Sequence, residues 1–205
     1  MSGGVIRVLL AEDQAMMRGA LAVLLGLEED IEVVGQVDDG ADVVARALEL
    51  RPDVALLDIE FEDGSSLDVA ATIRTVAPSC AVVFLTTFGR PGYLRRAFDA
   101  GATGFLVKEG PVEGLAESIR AVHAGRTVVD PDLAAAALAS GASPLTDRER
   151  DVLSASSDGT TTRELAARLH LSEHTVRNYL SSAIGKTGTR TRAEAYALAQ
   201  RNGWL

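Results

Sequence analysis

Between Val5 and Gly125 the hydrophobic positions fall into two alternating kinds of run. Val5–Ala11, Ile31–Val37, Val54–Leu57, Ala81–Leu85 and Gly104–Val107 are short, branched and nearly continuous, the pattern of strands buried on both faces. Between them lie segments with apolar residues at helical spacing. Met16–Leu27, with Met17, Leu21, Leu24 and Leu25 on one side, is followed by Ala41–Leu50, Leu67–Val76, Tyr93–Ala100 and Val112–Ala124. Pro52 and Pro78 stop the second and third helices, and Gly101 and Gly125 close the last two. Five β–α repeats joined by short connections predict an α/β fold, a five-stranded doubly wound parallel sheet.

The carboxyl ends of strands form the ligand-binding rim of such a sheet. Read there, the chain places Glu12 and Asp13 after the first strand, Asp58 after the third, Thr86 and Thr87 after the fourth, and Lys108 after the fifth. Three carboxylates brought together repel one another, and a hard divalent cation such as Mg²⁺ relieves this with carboxylate, water and phosphate oxygens. Asp58 follows the most apolar strand and is the best-held acid. It is suited to attack a phosphoryl group, with Thr86 and Lys108 receiving the phosphoryl oxygens.

The pattern changes after residue 125. Asp130-Pro131 reads as an N-cap followed by proline at the first helical position, opening a short helix over Leu133–Ala139. Ser140–Pro144 reads as a joint. From residue 144 onward no strand pattern occurs. Thr146/Glu149, Thr161/Glu164 and Thr191/Glu194 are three capping boxes, and Ser172 is a further N-cap. They predict helices near 147–156, 162–169, 173–186 and 192–201. The third has an apolar face of Val176, Tyr179, Leu180, Ala183 and Ile184, opposite Arg177, Asn178, Ser181, Ser182, Gly185 and Lys186. Arginine reads guanine edges and asparagine adenine edges in a major groove. Thr175 and Lys186 suit phosphates. Leu165, Ala166 and Leu169 of the preceding helix would brace it as a helix-turn-helix.

Composition sharpens this division. The 205 residues carry a net charge of −9, which looks wrong for a nucleic-acid binder. Residues 1–143 hold 11 Lys/Arg against 22 Asp/Glu, whereas residues 144–205 hold 9 against 7, so the acidity belongs to the first part alone. The expected organisation is therefore a domain over 1–125, a linker over 126–143 and a second domain over 144–205. Cys80 is the single cysteine, which rules out an internal disulfide framework. With no apolar run of eighteen residues and no recognisable signal peptide, the expectation is a cytoplasmic protein without a membrane partner.

Leu9-Leu10-Ala11-Glu12-Asp13, Leu56-Leu57-Asp58, Leu85-Thr86-Thr87 and Gly101–Lys108 together resemble the receiver domain of two-component response regulators. Leu145–Leu153 and Glu164–Tyr179 resemble the LuxR-type helix-turn-helix, and the order of the two is similar to the NarL/FixJ family, with Arg177–Lys186 close to its DesR-like branch. The resemblance implies Asp58 as phospho-acceptor, Glu12 and Asp13 as Mg²⁺ ligands with the Glu60 backbone carbonyl beside them, and Thr86 and Lys108 as phosphoryl contacts. Phe105 takes the place of the aromatic switch residue. In the head it implies that Arg177, Asn178 and Ser181 face bases, while Thr175 and Lys186 hold the DNA backbone. The implied protein is not an enzyme. It is a transcription regulator phosphorylated by a sensor histidine kinase, forming a homodimer on double-stranded DNA. One departure is Ile59–Ser66, where the family usually has Met-Pro after the acceptor, and it motivates one alternative, a receiver that dimerises without phosphate; the acid cluster permits another, an aspartate-dependent phosphohydrolase.

Overall fold

The computed structural model describes residues 4–61, 66–87, 91–108, 112–140, 143–156 and 159–205. The chain divides into two compact units, residues 1–89 with 94–134 and residues 90–93 with 135–205.

The first unit alternates β1 (Ile6–Ala11), α1 (Ala15–Leu25), β2 (Ile31–Val37), α2 (Gly40–Leu50), β3 (Val54–Asp58), α3 (Ser66–Val76), β4 (Ala81–Thr86), α4 (Pro91–Asp99), β5 (Gly104–Val107), α5 (Val112–His123) and β6 (Val128–Val129). The sheet is parallel throughout, in the order β2-β1-β3-β4-β5-β6. Successive side chains on a strand point to opposite faces, and the core divides accordingly. Val8, Leu10, Val54, Leu56, Val83 and Leu85 pack with Leu21 and Leu25 of α1 and with Ala116, Ile119 and Val122 of α5. Leu9, Ala55, Leu57, Phe84 and Phe105 have the opposite parity and are equally buried, on the side where α2 and α3 pack. Every residue of β3 is buried, as a strand flanked by β1 and β4 and covered on both faces must be. Gly101 at φ +102° and Gly125 at φ +79° end α4 and α5 in backbone that favours glycine, as the sequence predicts.

Among the described residues the sheet has six strands rather than the five expected. Val128 pairs with Gly104 and Val129 with Phe105, held by Val128 N–H to the Thr103 carbonyl at 3.0 Å and Asp130 N–H to the Phe105 carbonyl at 3.1 Å. Two residues cannot display a period, so β6 is invisible to pattern reading and is created by the open edge of β5. After it, Asp130 Oδ1 accepts the N–H groups of Asp132 and Leu133 at 3.0 and 3.1 Å, and α6 (Pro131–Ser140) follows. Part of the expected joint at 140–144 and part of the unusual 59–66 segment lie outside the described residues.

The second unit holds α7 (Asp147–Ser154), α8 (Thr162–Arg168), α9 (Glu173–Thr187) and α10 (Arg192–Arg201). Thr146 with Glu149 and Thr161 with Glu164 form reciprocal capping boxes. The third expected box is only half formed: Thr191 Oγ1 accepts the Glu194 N–H, but Glu194 Oε2 takes the Arg190 N–H instead of reaching Thr191. Gly188 at φ +65° terminates α9. The core gathers Leu145, Val152, Leu153, Leu165, Ala166, Val176, Leu180, Ala183, Ala195 and Ala199, with Tyr179, Ile184 and Leu169 half-buried against it. Leu165 lies at its centre without solvent exposure. We predict that Leu165→Ala lowers the stability of this unit by about 2–5 kcal/mol, measured by urea unfolding; a loss below about 1 kcal/mol contradicts the packing described.

Candidate functional site: an acidic pocket and a recognition helix

The strand order reverses direction between β1 and β3, and the rim above that point is where ligands bind in open α/β sheets. Glu12 and Asp13 leave β1, Asp58 ends β3, Thr86 ends β4, and Lys108 follows β5. Glu12, Asp58 and Thr86 are buried, Asp13 half-buried. One carboxylate oxygen from each of Glu12, Asp13 and Asp58 lies within 4.8 Å of the others. Lys108 Nζ sits 2.7 Å from Asp58 Oδ2 and 2.7 Å from Glu12 Oε2. Its backbone is tied to β4 by an N–H to the Thr86 carbonyl at 2.8 Å.

Burial pushes the Glu12 carboxyl above its ordinary range, and the Asp58 charge adds to this against the pull of Lys108. Burial acts on the Lys108 ammonium in the opposite sense, but the hydrogen bond to Asp58 and the charges of Asp58 and Glu12 outweigh it and keep the group charged. Asp58 Oδ1 accepts the Glu60 N–H at 3.0 Å, and Ser66 Oγ donates to the Asp58 carbonyl at 2.8 Å. Of Glu60, then, the backbone reaches Asp58, and its carboxylate is not part of the three-acid group. Phe105 is fully buried with its ring 6.3 Å from that of Phe84, so the residue in the switch position points into the core.

Three clustered acids against one ammonium leave excess negative charge. Glu12 Oε2 has no hydrogen-bond donor despite the nearby ammonium, whose direction falls short of a hydrogen bond. A buried carboxylate oxygen without a donor, next to two further acids, is a donor set suited to a hard divalent cation.

In the second unit α9 presents Arg177, Asn178 and Ser181 to solvent. Arg177 Nη1 lies 3.5 Å from Glu173 Oε2, and Asn178 Nδ2 lies 3.2 Å from His174 Nε2. Thr175 caps into Ser172, its N–H on Ser172 Oγ at 3.0 Å. Ser182 and Lys186 lie on the exposed face as expected, and both also bond to Glu149 of α7, at 2.6 Å and 2.7 Å. The sequence identifies Glu149 only as a capping residue. Its longer reach spans 33 and 37 residues along the chain and leaves no local signal.

Residues 8–120 match the response regulator receiver domain, and residues 143–199 match the bacterial regulatory proteins of the luxR family. The chain is 42% identical over 200 residues to the transcriptional regulatory protein DesR of Bacillus subtilis, covering 98% of this chain and 99% of DesR. The chain belongs to the NarL/FixJ family of response regulators. It is also 34% identical over 203 residues to the DNA-binding transcriptional activator DevR/DosR of Mycobacterium tuberculosis, covering 95% of this chain and 94% of that protein. Among solved structures, the response regulator ChrA of a heme-sensing two-component system aligns with a TM-score of 0.59 at 29% identity, over 98% of this chain and all of ChrA. The RcsB–DNA complex aligns at 20% identity with a TM-score of 0.65, over 97% of this chain and 99% of that one, a likeness of fold. This response regulator therefore joins a receiver to a LuxR-type DNA-binding domain, and phosphorylation is the family's normal mode of control. Among its described residues no helix is long and apolar enough to cross a membrane.

Removing the ammonium leaves Glu12 and Asp58 as adjacent buried carboxylates. We predict that Lys108→Met loses about 3–5 kcal/mol at neutral pH without divalent cation. A carboxyl whose native pKa is raised binds its proton more tightly folded than unfolded, so the deficit narrows as pH falls from about 7 toward 5. Urea unfolding across that range checks both, and a deficit that widens on acidification contradicts the account.

Proposed function

We propose that Asp58 is the phospho-acceptor of this response regulator and that a sensor histidine kinase supplies the phosphoryl group. The observation that carries the reading is the convergence of Glu12, Asp13 and Asp58 on one point, with Lys108 Nζ 2.7 Å from both buried carboxylates. Glu12, Asp13 and Asp58, with the Glu60 carbonyl beside them, would hold Mg²⁺. The cation, when bound, offsets the charge of the acids and of the incoming phosphoryl oxygens.

A carboxylate oxygen of Asp58 forms the new O–P bond while the P–N bond of a phosphohistidine breaks. The departing imidazole keeps its electron pair and takes up a proton. The Glu60 N–H on Oδ1 and the Lys108 ammonium on Oδ2 hold the carboxylate in place beforehand. Lys108 then exchanges its bond to Asp58 for one to a phosphoryl oxygen, and Thr86 takes another. Both contacts pull on β4 and β5, whose residues Phe84 and Phe105 pack in the core, so Phe105 reports the change to the domain surface.

The phosphorylated receiver forms a homodimer in the cytoplasm, which places two heads on paired half-sites of double-stranded DNA and raises their effective affinity. Arg177, Asn178 and Ser181 of α9 meet base edges there, and Thr175 meets the backbone.

Asp58→Asn is expected to abolish covalent labelling by a small phosphodonor in the presence of Mg²⁺, and chelation of Mg²⁺ to abolish it in the wild type. Intact mass measures the single added phosphoryl group, and labelling of the variant at the wild-type rate overturns the assignment.

A further inference from the structure

Glu149 is 4% exposed, yet it is a carboxylate in a small helical core. Its Oε2 accepts the Thr146 N–H and a bond from Lys186 Nζ, both at 2.7 Å, and its Oε1 accepts the Ser182 hydroxyl at 2.6 Å. Burial alone would raise its pKa, but Lys186, Ser182 and Thr146 outweigh this and hold it down to about 2, so it is charged at neutral pH. The two attachments on α9 are four residues apart and lie on one ridge with His174 and Asn178, also spaced by four. Two bonds one turn apart that converge on a single buried group resist both rotation of α9 about its axis and sliding along it. The adjacent ridge carries Arg177 and Ser181. A rotation of 20–30° would move their tips by ångströms, enough to break a bidentate base contact.

We propose that Glu149 is the positioning residue of the recognition helix, and that Lys186 serves it as a strut within the head rather than as a phosphate contact. This departs from the role that the family resemblance implies for Lys186, and it rests on the DNA-binding reading of Arg177, Asn178 and Ser181. The physical ground is competition. An ammonium already engaged by a buried carboxylate would leave that charge unpaired if it moved to a phosphate. Arg177, by contrast, faces the solvated Glu173 at 3.5 Å, a partner it can exchange for DNA.

The test uses the full chain, treated with acetyl phosphate and Mg²⁺, binding two probes across a range of salt. One is a duplex selected from a random pool by the wild type, the other calf-thymus DNA. Lys186→Gln is expected to weaken binding of the selected duplex by the same factor at every salt concentration, leaving the slope of log K against log salt unchanged. A lysine that neutralised a phosphate would instead lower that slope by about 0.9 for each bound head. Glu149→Gln is expected to reduce the preference for the selected duplex over calf-thymus DNA by about ten-fold or more, because base register is lost while phosphate attraction stays. A slope reduced by about 0.9 in Lys186→Gln overturns the proposal, as does an equal effect of Glu149→Gln on both DNAs. If Glu149→Gln fails to fold, the Lys186→Gln slope decides alone. Failure of the wild type to bind any selected duplex would instead sink the DNA-binding reading.

Discussion

The receiver is organised around one buried ammonium between two buried carboxylates. Lys108 contacts Glu12 from the end of β1 and Asp58 from the end of β3, while its own backbone is hydrogen-bonded to β4. Burying one of these charges alone would cost several kcal/mol. Together they form a locked but unbalanced set, since Asp13 adds a third carboxylate and Glu12 Oε2 keeps no hydrogen-bond donor. This imbalance gives the pocket its chemistry. Three acids gathered within 4.8 Å of one another could hold a metal ion, beside a lysine that already contacts two of them.

The fold exists to hold that set. Strands β1 and β3 are adjacent, and covered on both faces by helices, so the carboxylates at their ends inherit the rigidity of the core. Thr86 and Lys108 stand on the next two strands, with Phe84 and Phe105 packed behind them. The hydrogen bonds of β6 join β5 to the residues that open α6. The head solves a similar problem on a smaller scale. A buried acid, Glu149 of α7, is held by the Thr146 N–H and by Ser182 and Lys186 of α9.

Much of this was legible in the chain. Continuous apolar runs marked β1 to β5 because these strands are buried on both sides, and the residues just beyond them marked the pocket because strand ends in such sheets converge. Val176, Leu180 and Ala183 marked the inner face of α9 by their spacing, and all three are buried. What escaped had no period to read. Strand β6 is two residues long and owes its existence to the edge of β5. The broken capping box at Thr191 depends on Arg190 competing for Glu194. The joining of Glu149 to Ser182 and Lys186 is a tertiary contact between helices, which no local pattern encodes.

Nitrogen-detected NMR of the ¹⁵N-labelled full chain reads the charge and the exchange of the Lys108 ammonium. Glu12 and Asp58 should protect the Lys108 ammonium from exchange and keep it visible as a charged group at neutral pH, and its resonance should move when Mg²⁺ and acetyl phosphate are added together. A neutral amine, or an ammonium signal that exchanges as freely as a surface lysine and ignores the phosphodonor, would contradict the account.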